Sequence, residues 1–279
     1  MSQICFNGKL LKADEPVLLA ANRSFRYGDG LFETIKVSGG KVLLEQLHFE
    51  RLFSGLLILK YEIPKLFAEE RIKNELLELC RENNVDKLAR VRLSVFRGNG
   101  GLYDNDKKMQ YLIECWPLSE SSTQLNKNGL LIDVYPGARK SCDRFSNLKS
   151  ANFLSYSMAA LYAKEKKLND CFVLNSEGNV ADSTIANIFL IENGIIKTPA
   201  LSQGCVAGVM RRHLLSILKD AGHTVQETSI NEADLIRADE VFLTNAINGI
   251  RWVKQFRERV YANNKTIEIY NQFVKTIIT

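Results

Sequence analysis

Alternating and periodic apolar positions divide the chain into short strands near its beginning and a mixture of strands and helices further on. Three two-residue turns, Asn7-Gly8, Gly39-Gly40 and Asn193-Gly194, each separate two apolar runs. Turns of this kind need positive φ at their central positions, which Asn and Gly adopt easily. Each of the three turns therefore predicts a β-hairpin.

Helical and strand patterns follow one another without regular alternation. Helices are predicted over about 45–59, 68–83 and 209–221, and directly after position 149. Gly222 stands where a helix-terminating glycine is expected. Further strands are predicted over 89–96, 109–115, 130–135, 171–175, 187–192, 195–198 and 240–244. The mixture favours α+β domains and not alternating βαβ units.

The helix after Lys149 has an apolar face. Leu154, Met158, Leu161 and Tyr162 recur at i, i+4, i+7 and i+8. Lys149 is predicted to lie in the first turn, where unpaired amides and the positive end of the helix dipole disfavour a cation. Such surroundings favour the neutral amine, the form that attacks carbonyl groups. From the residues alone, a solvated lysine without a catalytic role is the favoured alternative.

Length and charge limit the possible classes of protein. Because 279 residues exceed the usual size of one domain, we expect two domains, 1–116 and 129–279, joined by a polar linker over 117–128. The net charge of +5 is mild and its charges are interspersed, so we do not expect nucleic-acid binding. No apolar run is long enough to cross a bilayer and no secretory signal is visible, so no membrane association is expected.

The cysteines and histidines form no recognisable motif. Six cysteines are scattered without a C-x-x-C pair, and the three histidines make no metal-ligand spacing with them. We therefore predict no metal site, and reduced thiols in a cytoplasmic protein are the simplest interpretation.

Two segments suit the binding of an anionic or aromatic group. The glycine-containing loop over 204–208 leads into a predicted helix whose first amides could bind phosphate. Arg51 and Arg211 are available as guanidinium partners, although a solvated helix face explains either one equally well. Asp182 lies among small polar residues, where composition alone favours a turn with an Asx cap.

Two further loops are rich in arginine and glycine. The loop over 23–34 carries Arg26 and Tyr27 and leads directly into a predicted strand. The loop over 97–103 begins with Arg97 and is suited to binding a carboxylate.

In this order, these segments resemble the class IV aminotransferase family, the pyridoxal-phosphate enzymes of fold type IV. The matching pieces are Tyr27-Gly-Asp-Gly-Leu-Phe-Glu-Thr34, His48-x-x-Arg51-Leu52, Arg97-Gly98, Lys149-x-x-Asn152, 182–189, Thr198-Pro199, 207–211 and 242–246. The resemblance covers nearly the whole chain. It implies a small N-terminal α/β sandwich and a larger C-terminal α/β barrel-like domain.

The resemblance also implies a pyridoxal 5′-phosphate cofactor and roles for individual residues. Lys149 would hold the cofactor as a Schiff base and later move the proton. Arg51 would bind the phosphate, assisted by the amides of Val209 and Met210. Asp182 would face the pyridine nitrogen, where the family usually has glutamate. Further cofactor-binding residues implied are Ser183, Thr184, Asn187, Asn245 and Ala246, and the substrate-binding residues implied are Arg26, Tyr27 and Arg97. Whether Arg26, Arg92 or Arg97 meets the substrate carboxylate is left open.

Three departures from the family pattern bear on the reaction. Asp182 is one methylene shorter than the usual glutamate, and Met210 and Ala246 replace residues that commonly carry hydroxyl groups. The latter two resemble some aminodeoxychorismate lyases. The Arg97-Gly98 loop fits lyases or D-amino-acid aminotransferases better than branched-chain enzymes.

The early chemistry implied is common to the whole family: a small-molecule amino substrate displaces Lys149 from the cofactor aldehyde, and the freed lysine removes the alpha proton. The outcome is then amino-acid transamination of the branched-chain or D-amino-acid type. The alternative is cleavage of 4-amino-4-deoxychorismate to pyruvate and 4-aminobenzoate, a reaction of folate biosynthesis. A catalytically inactive binding protein of the same fold is a third possibility. Because family members are generally dimers, a homodimer is also implied.

Overall fold

The computed structural model of the protein describes residues 1–104 and 108–279, which divide into two compact units. Unit 1 comprises Met1–Glu120 together with Lys149–Phe153, and unit 2 comprises Ser121–Leu148 together with Leu154–Thr279. The short segment that carries Lys149 therefore belongs to unit 1, although the chain on both sides of it belongs to unit 2.

The described residues of unit 1 form a six-stranded sheet and three helices. Its strands are β1 (Gln3–Phe6), β2 (Lys9–Lys12), β3 (Gly30–Ser38), β4 (Lys41–Val42), β5 (Leu88–Arg97) and β6 (Met109–Pro117). Its helices are α1 (Arg23–Tyr27), α2 (Glu45–Ile58) and α3 (Glu69–Glu82). The strand order is β2-β1-β6-β5-β3-β4, and each neighbouring pair is antiparallel.

The core of unit 1 lies where α2 and α3 meet this sheet. Both helices follow the predicted periodicity and bury one face, which includes Leu52 and Leu56 of α2 and Leu76 and Leu79 of α3. Each fully buried leucine contributes about 1.5–3 kcal/mol relative to an exposed one. This packing fixes α2, which carries His48 and Arg51, against β3, which carries Phe32 and Glu33.

Unit 2 is built on a nine-stranded sheet. Its strands are β7 (Leu130–Lys140), β8 (Asp170–Asn175), β9 (Val180–Ser183), β10 (Asn187–Glu192), β11 (Ile195–Pro199), β12 (Val225–Thr228), β13 (Glu240–Asn245), β14 (Gly249–Phe256) and β15 (Arg259–Val260). Its helices are α4 (Leu154–Glu165), α5 (Val209–Asp220), α6 (Glu232–Arg237), α7 (Asn264–Ile269) and α8 (Lys275–Ile278). The strand order is β12-β11-β10-β13-β14-β7-β8-β9, and β15 pairs with β14.

The three hairpins predicted from the turn residues are confirmed. They join β1 to β2, β3 to β4 and β10 to β11 in antiparallel pairs. Both residues of each turn have positive φ, between 50° and 81°. The end of α5 is also confirmed, because Gly222 follows the helix with a φ of 80°.

Two βαβ connections, β7–α4–β8 and β11–α5–β12, occur within the predicted mixed arrangement of hairpins and helices. Two predictions about the second half of the chain are wrong. Residues 180–183 form strand β9 and not a turn, because they pair with β8. The helix after Lys149 begins at Leu154, so Lys149 precedes its first turn and is too far away for the helix dipole to act on it strongly.

The predicted apolar face of α4 points away from the core of unit 2. Leu154, Met158 and Leu161 are exposed, whereas Tyr156 and Ala159 are buried. Small residues and one tyrosine therefore face β7 and β8, and the larger apolar side chains form an exposed stripe. Within the described residues, no helix is both long and apolar enough to cross a membrane.

Candidate active site

Backbone pairing holds Lys149 beside the start of β3. The amide of Phe32 donates to the Lys149 carbonyl at 2.9 Å, and the amide of Ala151 donates to the Gly30 carbonyl at 2.8 Å. These bonds make residues 149–151 a short antiparallel neighbour of β3, with Leu31 opposite Ser150. The position of Lys149 is thus set by the sheet of unit 1, independently of any helix.

Aromatic rings line the Lys149 amine. Nζ lies 4.5 Å from the centre of the Phe32 ring and 5.9 Å from that of Phe153. The two rings pack edge to face with their centres 5.5 Å apart. A half-buried amine over two rings is held in a defined place against apolar side chains.

On the other face of β3, Glu33 binds Arg51 and His48. Successive strand residues point to opposite faces, so Glu33 faces α2 while Phe32 faces away from it. The Glu33 carboxylate accepts from Arg51 Nε at 2.8 Å and also from Arg51 Nη2, which makes the pair bidentate. It accepts a third bond from His48 Nδ1 at 2.6 Å. Glu33 therefore fixes the guanidinium of the phosphate-binding candidate Arg51.

The protonation of this buried trio follows from its charges. Burial raises the pKa of Glu33, but the Arg51 charge and the His48 hydrogen bond prevail and lower it to about 2. Burial lowers the pKa of His48 despite the opposing effect of Glu33, and the Arg51 and Lys149 charges lower it further. A neutral His48 must carry its proton on Nδ1 to donate to Glu33. Its Nε2 is buried and makes no hydrogen bond within the described residues.

The structure places Arg97 in a network that connects loops. Its Nη1 lies 2.5 Å from Asp29, its Nη2 donates to the Leu59 carbonyl at 2.5 Å, and its guanidinium stacks on Tyr61. Asp29 also pairs with Arg23 at 2.9 Å. Through these hydrogen bonds, Arg97 connects the end of β5 to the loop before β3.

Arg26 and Tyr27 lie at the exposed end of α1. The segment predicted to be a loop forms this short helix because Asn22 caps it by accepting from the amides of Ser24 and Phe25. Arg26 Nε donates to the Ala20 carbonyl at 3.1 Å, and Tyr27 is 43% exposed. Both side chains are therefore accessible from solvent.

Arg92 lies closer to Lys149 than its place in the sequence suggests. Its guanidinium carbon is 3.8 Å from the centre of the Phe32 ring, and Nε donates to Ser94 at 3.1 Å. Because Lys149 Nζ is 4.5 Å from that ring centre, the two cationic groups lie at most about 8.3 Å apart. Burial lowers the pKa of Arg92, and nearby Glu114 opposes this shift.

In unit 2, Asp182 is buried on β9 and accepts hydrogen bonds from neighbouring groups. The Tyr156 hydroxyl donates to the Asp182 carboxylate, at 2.9 Å from Oδ1 and 3.0 Å from Oδ2. The Val206 amide donates to Oδ2 at 2.9 Å, and Lys140 Nζ lies 3.5 Å from Oδ2. The carboxylate is only 2% exposed, so these donors replace water around it.

Ser183 and Thr184 bind neighbouring protein groups. Ser183 donates from its amide and hydroxyl to the Ala186 carbonyl. Thr184 Oγ1 donates to Asp170 at 2.7 Å, within a buried pair in which burial raises the pKa of Asp170. Both hydroxyls thus shape the β9–β10 connection that follows Asp182.

Asn187 positions the start of α5. Its side chain donates to the Val206 carbonyl at 2.8 Å, and a Cβ added to Gly208 would overlap Asn187 Oδ1. Gly208 is the N-cap of α5; within the described residues no side chain caps the helix, and no acidic residue lies in its first turn. The first amides of this twelve-residue helix, at Val209 and Met210, are therefore oriented to bind an anion.

Thr244 lies beside the same helix start. It is directly opposite Asn187 in the β10–β13 pair, so both side chains point to one face of the sheet. Thr244 is 2% exposed, and its hydroxyl has no hydrogen-bond partner among the described residues. Asn245 and Ala246 follow it; Asn245 Oδ1 accepts from the amides of Ile247 and Asn248 and shapes that turn.

Sequence analysis did not identify Lys140, Tyr156 or Thr244 as residues of the candidate site. The first two lie in β7 and α4, and neither carries a local motif. The register of Thr244 opposite Asn187 could have been suspected only once β10 and β13 were known to pair.

Comparison with known proteins shows that the chain matches a known protein family. The family model described as amino-transferase class IV matches residues 30–256. The chain is 30% identical to a Methanocaldococcus jannaschii protein provisionally described as a branched-chain-amino-acid aminotransferase, over 96% of this chain and 92% of the relative. It is also 30% identical to the aminodeoxychorismate lyase of Bacillus subtilis, over 88% of this chain and 83% of the relative.

The fold matches a solved structure along almost its full length. The branched-chain amino acid aminotransferase from T.th., complexed with N-(5′-phosphopyridoxyl)-L-glutamate, superposes with a TM-score of 0.88 at 21% sequence identity. The match covers 99% of this chain and 94% of that one. The fold type IV architecture expected from the sequence is thereby confirmed.

Proposed function

Because the chain belongs to the class IV aminotransferase family, whose members depend on pyridoxal phosphate, we propose that it transaminates amino acids with this cofactor attached to Lys149. The observation that carries the proposal is the position of Lys149. Its backbone is paired to β3 and its amine is half-buried against Phe32. Such an amine is held at one place, as a group that must form a covalent bond and then transfer a proton requires.

The donor sets of both units fit the chemical groups of pyridoxal phosphate. In unit 1, the Arg51 guanidinium is a phosphate partner whose orientation Glu33 fixes. In unit 2, the uncapped start of α5 offers backbone amides to a phosphate, and Asp182 offers a buried carboxylate to a protonated ring nitrogen. We propose that the Thr244 hydroxyl, which has no hydrogen-bond partner among the described residues, donates to the phosphate, since the side chains of Met210 and Ala246 carry no hydroxyl.

The residues of the chain would have the following roles in the reaction. Bound pyridoxal phosphate withdraws electrons from the substrate carbon that bears the amine. Lys149 Nζ would remove the proton from that carbon and would deliver it to the cofactor carbon that carried the aldehyde. Phe32 and Phe153 keep water away from the amine, and Arg92 orients the substrate by binding its carboxylate. We assign this last role to Arg92 because Arg97 already binds Asp29 and Leu59.

Cleavage of 4-amino-4-deoxychorismate is a second candidate reaction. The Met210 and Ala246 pattern and the Arg97-Gly98 loop resemble those of lyases, and the Bacillus subtilis relative is named as such a lyase. Lys149 would remove the same proton, and pyruvate would leave from the neighbouring carbon. The two reactions therefore share a base and differ in the bond broken next.

Product analysis separates the two reactions. The purified protein, loaded with pyridoxal phosphate, is given glutamate or D-alanine with branched-chain keto acids, and separately 4-amino-4-deoxychorismate without any keto acid. Formation of branched-chain amino acids would support transamination. Release of pyruvate with 4-aminobenzoate would support the lyase reaction in place of transamination. A loaded protein that yields neither set of products would contradict both.

Replacing Arg92 by methionine should raise the KM for the carboxylate-bearing substrate about ten- to one-hundred-fold, because a charge-assisted bond contributes about 1.5–3 kcal/mol. The kcat should fall less, since Lys149 is untouched. Arg90→Met is the matched control: Arg90 is exposed, lies on the same strand as Arg92 and stacks on Trp116 of β6. Steady-state kinetics measure both constants. An unchanged KM for Arg92→Met, together with a raised KM for Arg97→Met, would move the role to Arg97.

We propose a homodimer as the working assembly. The exposed stripe of Leu154, Met158 and Leu161 on α4 supports it, because contiguous apolar side chains on a surface commonly mark an interface. A cytoplasmic location stays a prediction from the sequence.

A further inference from the structure

We propose that Lys140 and Tyr156 are positioning residues that hold the Asp182 carboxylate for the ring nitrogen of pyridoxal phosphate. This inference rests on the proposed function, because it concerns how the chain binds that cofactor. The three side chains come from three different elements of unit 2. Lys140 ends β7, Tyr156 lies on the buried face of α4, and Asp182 lies on β9.

The local fold explains why these side chains meet. β8 lies between β7 and β9 in the sheet, with Lys140 opposite Asn175 and Asp182 opposite Val173. Helix α4 packs on β7 and β8 and turns Tyr156 inward. A tyrosine on this face can therefore reach across β8 to a carboxylate on β9.

The Tyr156 hydroxyl accepts a hydrogen bond from one charged group and donates one to the other. Lys140 Nζ donates to its hydroxyl oxygen at 2.5 Å, and the hydroxyl proton is donated to Asp182. Burial raises the pKa of Tyr156 well above its ordinary value, and Asp182 raises it further. The phenol therefore stays protonated and keeps donating to the carboxylate.

The donors are distributed unequally over the two carboxylate oxygens. Oδ2 accepts from the Val206 amide, has the Lys140 ammonium 3.5 Å away, and shares the single Tyr156 hydroxyl proton with Oδ1. Among the described residues, Oδ1 accepts from Tyr156 alone. Each carboxylate oxygen can accept about two hydrogen bonds. Oδ1 is thus the oxygen with an acceptor position left for a ring N–H.

Lys140 also offsets the charge of Asp182. A carboxylate that is 2% exposed is costly to keep without a nearby cation. The Lys140 side chain is itself only 11% exposed, and Ser146 fixes it by accepting from Nζ at 3.2 Å. The nearby thiol of Cys205 does not contribute a charge, because burial raises its pKa to about 11. The pair therefore holds a carboxylate in one orientation inside unit 2.

The test compares two cofactors that differ only at the ring nitrogen. Pyridoxal 5′-phosphate and its 1-deaza analogue, which has C–H in place of that nitrogen, are titrated into apoprotein to measure both Kd values. The ratio of the two Kd values reports the contact between Asp182 and the nitrogen. In Tyr156→Phe the preference for pyridoxal phosphate should fall by about ten-fold or more, because a hydrogen bond to a charged group is lost. Lys140→Met should also lower the preference for pyridoxal phosphate over the 1-deaza analogue.

Matched controls separate positioning from packing. Tyr162→Phe removes a hydroxyl from the same helix, at a ring that packs on Tyr135, and Lys197→Met breaks an ion pair with Glu192 in the same unit. Both should keep the wild-type preference. Tyr156→Phe is nearly isosteric, so it tests the proposal even if Lys140→Met does not fold.

Each outcome of the titration decides between the possibilities. A preference that falls in Tyr156→Phe and not in Tyr162→Phe supports the proposal. Equal weakening of both cofactors in Tyr156→Phe, or no change in either, overturns it by showing a purely structural role. Wild-type protein that binds both cofactors equally overturns it as well, while leaving the proposed function intact. Wild-type protein that binds neither cofactor overturns the proposed function and this inference with it.

Discussion

Replacing Lys149 by alanine is expected to abolish covalent attachment of pyridoxal phosphate and to lower turnover by about a thousand-fold or more. The side chain provides both the amine that bonds the cofactor and the base that moves the proton. The rings of Phe32 and Phe153, which the structure places near this amine, can perform neither role. Borohydride reduction of the loaded protein, followed by peptide mapping, locates the pyridoxyl group, and a product assay measures turnover.

The matched control is Lys164→Ala, which removes an exposed lysine from the last turn of α4. It should keep both the covalent label and the turnover. Thermal unfolding of Lys149→Ala should resemble that of the wild type, since the backbone bonds of residue 149 do not depend on its side chain. A pyridoxyl label found on a different lysine, or normal turnover in Lys149→Ala, would end the assignment.

Local signals in the sequence were sufficient for much of the fold. The hairpin turns need only two residues with positive φ, and the helices α2, α3 and α5 need only a 3.6-residue period with suitable ends. Such features depend on neighbours within a few positions. They could therefore be located within one or two residues of their observed ends.

Features that depend on distant contacts could not be located in this way. Asp182 and Ser183 have turn-like composition, yet they lie in a strand because β8 offers backbone partners to β9. Lys149 lies outside α4 because the start of β3 binds its backbone. In both places, tertiary pairing overrides local preference.

In the candidate site too, some residues could be predicted from the sequence, whereas others depend on contacts between distant parts of the chain. Lys149, Arg51 and Asp182 were predicted through the resemblance, and their roles stay predictions. The partners that hold them, Glu33 for Arg51 and Tyr156 for Asp182, are visible only in three dimensions. Positioning residues of this kind act through one contact across the fold, so a linear motif does not mark them.

Replacing Glu33 by glutamine is expected to destabilise the protein by about 3 kcal/mol at neutral pH, because it leaves the charged Arg51 without its buried partner. The Arg51 guanidinium would also lose the bidentate contact that orients it, so phosphate affinity should fall. Urea unfolding at pH 7 measures the change in stability. Glu45→Gln is the control in the same unit: its ion pair with Lys73 is about one-third exposed at both side chains, so its loss should change stability by less than about 1 kcal/mol.

The same carboxylate makes the stability difference depend on pH. The pKa of Glu33 is lowered from 4.5 to about 2 in the folded protein, so below pH 4.5 the unfolded chain binds a proton that the folded protein still excludes. The contribution of Glu33 is therefore complete above pH 4.5 and is lost as the pH falls toward 2. A shift of this size corresponds to about 3 kcal/mol, since one pKa unit equals about 1.4 kcal/mol. The stability gap between wild type and Glu33→Gln should accordingly narrow across that range, whereas the small gap for Glu45→Gln should change little. If the stability difference between wild type and Glu33→Gln stays constant down to pH 2, Glu33 holds Arg51 and His48 without its charge.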